Sequence, residues 1–149
     1  MDTKRQRGAQ AVEFALVLPF FLVLLLLIID FGFLAYNKAV ITNASREAAR
    51  AGTVLTGTPW TTTAVASVAS NYAKSSLITT SSGTHTATCG GTADPVIAVA
   101  NPNGHVPPQF GDPIRVTVNY TYRGLLTSFM STTMESPWSL VATSTMNHE

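Results

Sequence analysis

The chain has 149 residues, about the length of one domain. Hydrophobic residues make up 46% of it and charged residues only 11%, against about 25% in ordinary soluble domains. This composition argues against a disordered chain, which needs low hydrophobicity and high net charge. The net charge of +1 without a large basic patch argues against a nucleic-acid-binding protein, and the single cysteine excludes a scaffold of internal disulfides.

The segment that opens the chain sets the expected orientation in a membrane. Residues 1–8 (MDTKRQRG) carry a side-chain charge of +2. Basic residues beside a first membrane span stay in the cytoplasm, so the N-terminus is predicted to be cytoplasmic and the chain beyond the span to lie outside. No small-residue cleavage site of a secretory signal follows Ile29, so removal of the whole apolar segment is not expected.

Most of the hydrophobicity lies in one run. Residues 14–29 (FALVLPFFLVLLLLII) contain no charged or strongly polar side chain, and Asp30 is the single charge among the 24 residues between Glu13 and Lys38. A helix of that length extends over about 36 Å, enough to cross a hydrocarbon layer of roughly 30 Å. A buried helix of a soluble core usually keeps a polar stripe, and this run has none. We therefore expect a single-pass membrane helix.

The helix is predicted to continue beyond the membrane. Small and apolar residues recur at spacings of three and four at Val40, Ala44, Ala48, Ala51 and Leu55, and Gly52 suits a helix end. The predicted membrane and stem helix therefore covers residues 9–52. The ladder Ala44, Ala48 and Gly52 permits close approach either of the protein's own sheet or of a partner helix.

The remainder, residues 53–149, is predicted to be an extracytoplasmic head. A second helix is expected to begin with Thr58 as N-cap and Pro59 in the first turn. Alternation of apolar and polar residues over 114–123 predicts a strand with one buried face. Weaker strand patterns occupy residues 85–89, 96–100 and 139–146. The predicted fold is α+β, with a long N-terminal membrane and stem helix, a second helix, and a small, mainly antiparallel sheet of about four strands.

An unusual carboxylate lies at the N-terminal end of the apolar segment. Glu13 lies at the edge of the hydrocarbon, and a charged carboxylate costs about 2.5 kcal/mol or more at the bilayer centre. If the chain is cut after Gly8, the new ammonium of Ala9 lies one helical turn from Glu13. Glu13 can then pair with its own Ala9 or with that of a neighbouring copy. The alternative is a carboxylate that only extends to the membrane surface.

Several motifs of this region occur together. They are Gly8-Ala-Gln-Ala-Val-Glu13-Phe14, Pro19 in the apolar run, Asp30-Phe-Gly, and Thr42-Asn-Ala-Ser-Arg-Glu-Ala-Ala-Arg50. In this combination the chain closely resembles the TadE-like family over residues 7–52. The members of that family are pilin-like subunits, or pseudopilins, of the tight-adherence (Tad, or Flp-type) branch of type IV pili.

The resemblance implies roles for individual residues. Residues 1–8 are expected to be a cytoplasmic class III leader, removed by cleavage between Gly8 and Ala9. The enzyme implied is a prepilin peptidase of the inner membrane. Glu13 is expected to serve processing or docking onto the growing fibre, and Phe14 completes the Glu-Phe pair of the family.

Two further residues interrupt the apolar helix. Pro19 removes one backbone hydrogen bond, which either leaves a mild static kink or lets the helix bend when it leaves the lipid. Asp30 lies about 12 Å along the helix from Lys38, near the outer membrane boundary. Its carboxylate is expected either to reach the lipid headgroups or to contact a cation of another subunit or protein.

No convincing catalytic or metal-binding pattern occurs in the sequence. His85, His105 and His148 are scattered and lack the spacing of metal ligands, and Cys89 has no CxxC partner. Cys89 is expected either to be buried or to pair between chains. The chain is therefore expected to be a non-enzyme without catalytic residues, metal or cofactor.

The preferred hypothesis is a structural minor pilin or pseudopilin in the inner membrane or in the pilus fibre, with a periplasmic or extracellular head. Its expected partners are the prepilin peptidase, other Tad pilins and pseudopilins, the inner-membrane assembly platform and membrane lipid, but no nucleic acid. One alternative is a single-pass envelope protein whose head binds something outside without entering a fibre. Another is a pilin-like component of a general secretion machine.

Overall fold

The structure is a computed structural model of the chain. It describes the backbone of residues 3–54, 60–78, 88–89, 95–122, 124–125 and 138–148, and the side chains of these residues except at 3–9 and 88–89. The described elements are, in chain order, α1 (Thr3–Val54), α2 (Thr62–Ser76), β1 (Thr88–Cys89), β2 (Val96–Ala100), β3 (Pro113–Tyr122) and β4 (Trp138–Asn147). The predicted α+β class is confirmed.

The first element, α1, has 52 residues and runs through Gly8 and Pro19 as one helix. From Gln10 to Ile29 every side chain is exposed except Leu26, which is half-buried. An 18-residue window of the helix has a mean hydropathy of 3.0, and none of it is buried. Within the described part of the chain, α1 is the helix with the length and apolarity of a single-pass membrane anchor. The point at which the leader ends stays a prediction.

The C-terminal half of α1 packs against the head, residues 53–149, along one stripe of buried side chains. Its buried residues recur at intervals of three and four and so share one helix face; they are Asn37, Val40, Ile41, Ala44, Ser45, Ala48 and Ala49. A Cβ placed on Gly52 would lie 3.2 Å from Ile114 Cγ2 and 3.4 Å from Val65 Cγ2. The ladder Ala44, Ala48 and Gly52 therefore packs against the protein's own head, the first of the two predicted possibilities.

The sheet has the strand order β1-β2-β3-β4. β3 pairs antiparallel with both β2 and β4, whereas the two-residue β1 pairs parallel with β2. The predicted sheet of about four strands is thus three antiparallel strands with one short parallel strand at its edge. Alternate residues of β3, from Ile114 to Tyr122, are buried against the helices, as the sequence pattern predicts.

The start of α2 differs from the prediction. The helix begins at Thr62, and the Oγ1 of Thr61 caps it by accepting a hydrogen bond from the Ala64 amide at 3.1 Å. Trp60 is buried, and its indole N–H donates to the Gly52 carbonyl at 3.1 Å. This bond ties residue 60 to the end of α1, so the chain enters the helix only afterwards. Thr58-Pro59, outside the described residues, precedes the helix, and the predicted start is wrong.

Buried polar side chains of α1 fix the position of the head. Asn37 donates to the Ile78 carbonyl at 2.8 Å and accepts from the Ile78 amide at 2.9 Å, so it bonds the segment after α2 as a strand would. The hydroxyls of Ser45 and Ser144 lie 2.8 Å apart. Because a buried polar group without a partner is costly, these bonds select one rotation and one height of the head on α1.

Replacement of Gly52 by valine is expected to destabilise the head by about 1–3 kcal/mol, because the added methyl groups enter space held by Ile114 and Val65. The matched control is Gly32→Val, on the same helix, where an added Cβ meets no atom within 4 Å. Thermal unfolding in detergent, followed by near-ultraviolet circular dichroism, measures both variants. A wild-type midpoint for Gly52→Val would contradict the packing described.

Candidate processing site and membrane-boundary contact

The predicted processing segment lies in the first turns of α1. The backbone is helical through Gly8 and Ala9, and the side chains of Glu13 and Phe14 are exposed. Residues four apart share one face of a helix, so Glu13 follows residue 9 one turn later on the same face. A free amino group on residue 9 would therefore lie within reach of the Glu13 carboxylate. The cleavage and the roles of these four residues stay predictions.

Pro19 lies inside α1, and the helix continues beyond it to Val54. Because proline has no N–H, the carbonyl of Ala15 lacks its helical donor. Pro19 and its neighbours Leu18 and Phe20 are exposed. The structure thus shows the helix unbroken at the proline, and whether it bends outside the lipid stays a prediction.

Asp30 lies where the apolar half of α1 meets the half that carries the head. Its Oδ1 accepts hydrogen bonds from the Leu125 amide at 2.8 Å and from the Tyr122 hydroxyl at 3.3 Å. These donors belong to the head, 95 and 92 residues further along the chain. Lipid headgroups and a cation of another protein are the partners that the sequence suggests for Asp30. The structure shows a different partner for Asp30, the head of the same chain.

A glycine lets the chain approach this carboxylate closely. A Cβ on Gly124 would lie 2.7 Å from Oδ2 of Asp30 and 3.0 Å from its Cγ. Contacts below 3.0 Å essentially never occur for a real Cβ, so a side chain at this position would displace the carboxylate. Gly124 therefore allows the backbone to pass over Asp30 at the distance from which the Leu125 amide can donate.

The surroundings of Tyr122 disfavour its ionised form. Burial of the phenol, together with the charge and the hydrogen bond of Asp30, raises the pKa of Tyr122 to about 12. The hydroxyl therefore keeps its proton and remains a donor at neutral pH. Since this pKa exceeds the ordinary value of about 10, the stability that Tyr122 contributes is complete below pH 10 and is lost as the pH rises towards 12.

A second polar cluster holds the loop between β2 and β3, at the opposite end of β3 from Tyr122. The buried carboxylate of Asp112 accepts from Asn103 at 2.7 Å, from the Gln109 amide at 2.8 Å and from Asn101 at 3.1 Å. The Nδ1 of His105 lies 2.8 Å from its Oδ2. These hydrogen bonds, that of Asn103 first, hold the pKa of Asp112 well below its usual range. The cluster therefore fixes the shape of this loop.

The sequence singles out Asp30 but not its partners. The alternation in β3 predicts that Tyr122 is buried without indicating what its hydroxyl binds. One signal is present, because a buried tyrosine usually needs a partner for its O–H, and Asp30 is the single carboxylate of the apolar run. Nothing in the sequence links Asp112 to the residues of its loop beyond their closeness in the chain.

The described histidines, His105 and His148, belong to no metal-binding cluster within the described part of the chain. Among the described residues, no group of three or more His, Cys, Asp or Glu side chains is arranged to hold a metal ion. Cys89 lies in β1, opposite Ile97 of β2. The side chain of Cys89 and the whole of His85 lie outside the described residues, so the burial or pairing expected for Cys89 stays open.

The segment from Gly8 to Arg50 has a counterpart in a known protein family. Residues 8–50 match the family model described as TadE-like protein. The match confirms the resemblance seen in the sequence, and it includes Gly8, Glu13, Pro19 and Asp30. The matched range ends within α1, before the second helix and the sheet. No curated protein and no solved structure matches the chain.

Removal of the Asp30 carboxylate is expected to destabilise the head where Tyr122 and Leu125 contact α1. Asp30→Ala leaves the Leu125 amide and the Tyr122 hydroxyl without this acceptor, which is expected to cost about 1–3 kcal/mol in the free energy of unfolding. Asp30→Asn keeps an acceptor oxygen but removes the charge. It is expected to lower the pKa of Tyr122 below 12, but not fully to the ordinary value, because burial is the larger cause.

The ultraviolet absorbance of tyrosinate during a pH titration measures this shift, and Tyr122→Phe identifies which step belongs to Tyr122. Chemical unfolding in detergent measures the change in stability of Asp30→Ala. An unchanged titration in Asp30→Asn together with wild-type stability in Asp30→Ala would show that the contact does not form.

Proposed function

We propose that this TadE-like chain is a structural minor pilin or pseudopilin of a tight-adherence pilus. In this role α1 anchors the chain in the inner membrane, and prepilin peptidase removes the leader after Gly8 on the cytoplasmic side. The trimmed subunit then joins the fibre or its assembly platform. The proposal is carried by the family match over residues 8–50, which contains Gly8 and Glu13 at the start of one long apolar helix.

The exposed surface of α1 supports insertion into lipid. From Phe14 to Ile29 the helix presents large apolar side chains on all sides. Soluble monomers rarely expose a continuous apolar surface of this extent, because covering it releases free energy in proportion to its area. Two environments can cover it, the acyl chains of a bilayer and the stems of neighbouring subunits. A pilin uses the first before assembly and the second in the fibre.

The charges around the helix support the proposed orientation. Lys4, Arg5 and Arg7 precede the span, and such residues are retained on the cytoplasmic side. The head, which follows the span, then faces the periplasm or the cell exterior. The same orientation puts the proposed cleavage after Gly8 on the cytoplasmic side, where the basic leader remains.

The chemistry of the cut explains a carboxylate in the first turn of the trimmed helix. Cleavage after Gly8 turns the Ala9 amide into an ammonium, one helical turn before Glu13. A pair of opposite charges at the membrane edge costs less than either charge alone. The carboxylate also lies at the positive end of the helix dipole. The same pairing between copies would tie the stem of an arriving subunit to one already in the fibre.

The proposed role is structural, with no catalytic residues and no cofactor. A different candidate, an envelope protein with a binding head that never enters a fibre, is favoured by one observation. The loop between β2 and β3 is held by the Asp112 cluster and presents Phe110 with 88% of its surface exposed. A rigid loop with an exposed aromatic residue suits binding, because little entropy is lost when it docks.

The mass of the mature N-terminus tests the processing step. In cells that contain the prepilin peptidase, mass spectrometry is expected to find a chain that begins at Ala9. Gly8→Trp is expected to leave the leader attached, because the small residue before the cut is lost. Thr3→Trp, which adds the same side chain elsewhere in the leader, is the matched control and is expected to be processed normally. A wild-type chain that still begins at Met1 would refute the cleavage.

The content of sheared surface fibres tests the assembly step. Glu13→Ala is expected to reduce the amount of the protein in these fibres, and Glu13→Gln, which keeps the shape without the charge, is expected to behave like it. If Gly8→Trp does not change mobility on gels and Glu13→Ala does not change the fibre content, the pilin proposal fails. The envelope protein with a binding head would then be preferred.

A further inference from the structure

Large apolar side chains remain exposed at the base of the head. Trp138, the first residue of β4, is 59% exposed, and Leu125 is 37% exposed. On α1, Phe31 and Tyr36, which follow Asp30 in the chain, are exposed as well. Their height relative to the membrane surface depends on their position relative to Asp30.

Two contacts fix the height of Leu125 and Trp138. The Leu125 amide lies 2.8 Å from Oδ1 of Asp30, so this part of the head is at the level where the apolar half of α1 ends. Trp138 is the partner of Tyr122 across the β3–β4 ladder. Antiparallel partners have Cα atoms about 5 Å apart and side chains on the same face of the sheet. Because the Tyr122 hydroxyl reaches Asp30, Trp138 lies on the side of the sheet that faces α1.

We propose that the base of the head is seated in the membrane interface through Trp138 and Leu125, with lipid as the partner. The exposed apolar side chains of α1 reach Ile29 and include Phe31, and the head contacts the helix between them, at Asp30, so the lipid that covers the helix also meets the head. An indole suits this position, because its ring can lie among the upper acyl chains while its N–H bonds headgroup oxygens. The inference rests on the membrane insertion in the proposed function, not on cleavage or fibre assembly.

The seating gives the chain two attachments to one bilayer. The helix α1 fixes the height of the head, and the interfacial contact of Trp138 limits how far the head can tilt about α1. The hydrogen bonds of Asp30 then lie where water is scarce, and there they are electrostatically stronger than in bulk water. A head held in this way presents its opposite end, with the loop of Asp112, away from the membrane.

Tryptophan fluorescence in bilayers tests the seating, because the two tryptophans lie far apart. Trp60 is buried against Gly52, which follows Asp30 by 22 residues of helix, or about 33 Å. Lipid with a nitroxide on the phosphocholine headgroup quenches only nearby tryptophans. The emission of Trp138 is the difference between the wild type and Trp138→Phe. The nitroxide lipid is expected to quench most of it. The emission of Trp60, which alone remains in Trp138→Phe, is expected to stay unchanged.

Two results would overturn the seating. In one, aqueous iodide quenches Trp138 and the nitroxide lipid does not, so the head stands clear of the membrane. In the other, the Trp138 emission responds to the ratio of protein to lipid and not to the quencher, so a second copy of the chain covers it.

A tryptophan at a new position tests the membrane insertion of α1 separately from the seating of the head. Phe21→Trp, made together with Trp138→Phe, places an indole in the middle of the apolar run. Lipid brominated deep in its acyl chains is expected to quench it. If this probe is quenched and Trp138 is not, only the seating of the head is wrong. If neither is quenched, the membrane insertion is wrong, and the proposed function loses its anchor.

Discussion

The helix α1 has an exposed apolar part and a part that packs against the head. The contact between Asp30 and the head lies where the first part ends and the second begins. From Phe14 to Ile29 the side chains of α1 are apolar and exposed, with Leu26 half-buried, and after Asp30 one stripe from Asn37 to Ala49 is buried against the head. The carboxylate would be costly at the end of an apolar span without partners. The Leu125 amide and the Tyr122 hydroxyl supply them, and thereby fix where the head begins.

Three residues whose side chains bind the head by hydrogen bonds lie within the TadE-like segment, whereas their partners lie outside it. Asp30, Asn37 and Ser45 fall in the matched range 8–50, and they bond the end of β3, the segment after α2, and β4, respectively. The stem is therefore both the carrier of the family pattern and the docking surface of the head. In the proposed pilin, the same helix has its processing site at one end and its head at the other.

The elements that depend on local patterns could be predicted from the sequence, and those that depend on distant contacts could not. The uniform apolar run predicts α1, and alternation predicts β3 with its buried tyrosines. The start of α2 is wrong because the bond from Trp60 to Gly52 overrides the local signal of Thr58-Pro59. The partners of Asp30 join it across more than 90 residues, so only the folded chain shows them. The proposed cleavage after Gly8 requires a second protein, the peptidase, so neither the sequence pattern nor the fold of this chain can demonstrate it.

In the proposed topology, α1 spans the membrane as far as Asp30 and holds the head outside. Labelling of single cysteines by a membrane-impermeant maleimide, added outside spheroplasts of a Cys89→Ser background, tests it most directly. Ile28 and Asn43 are both exposed on the protein surface, so protein packing protects neither. We expect Asn43→Cys to react and Ile28→Cys to remain unlabelled, whereas both react once membrane and protein are dissolved in denaturant. Equal labelling of both positions in intact spheroplasts would contradict it.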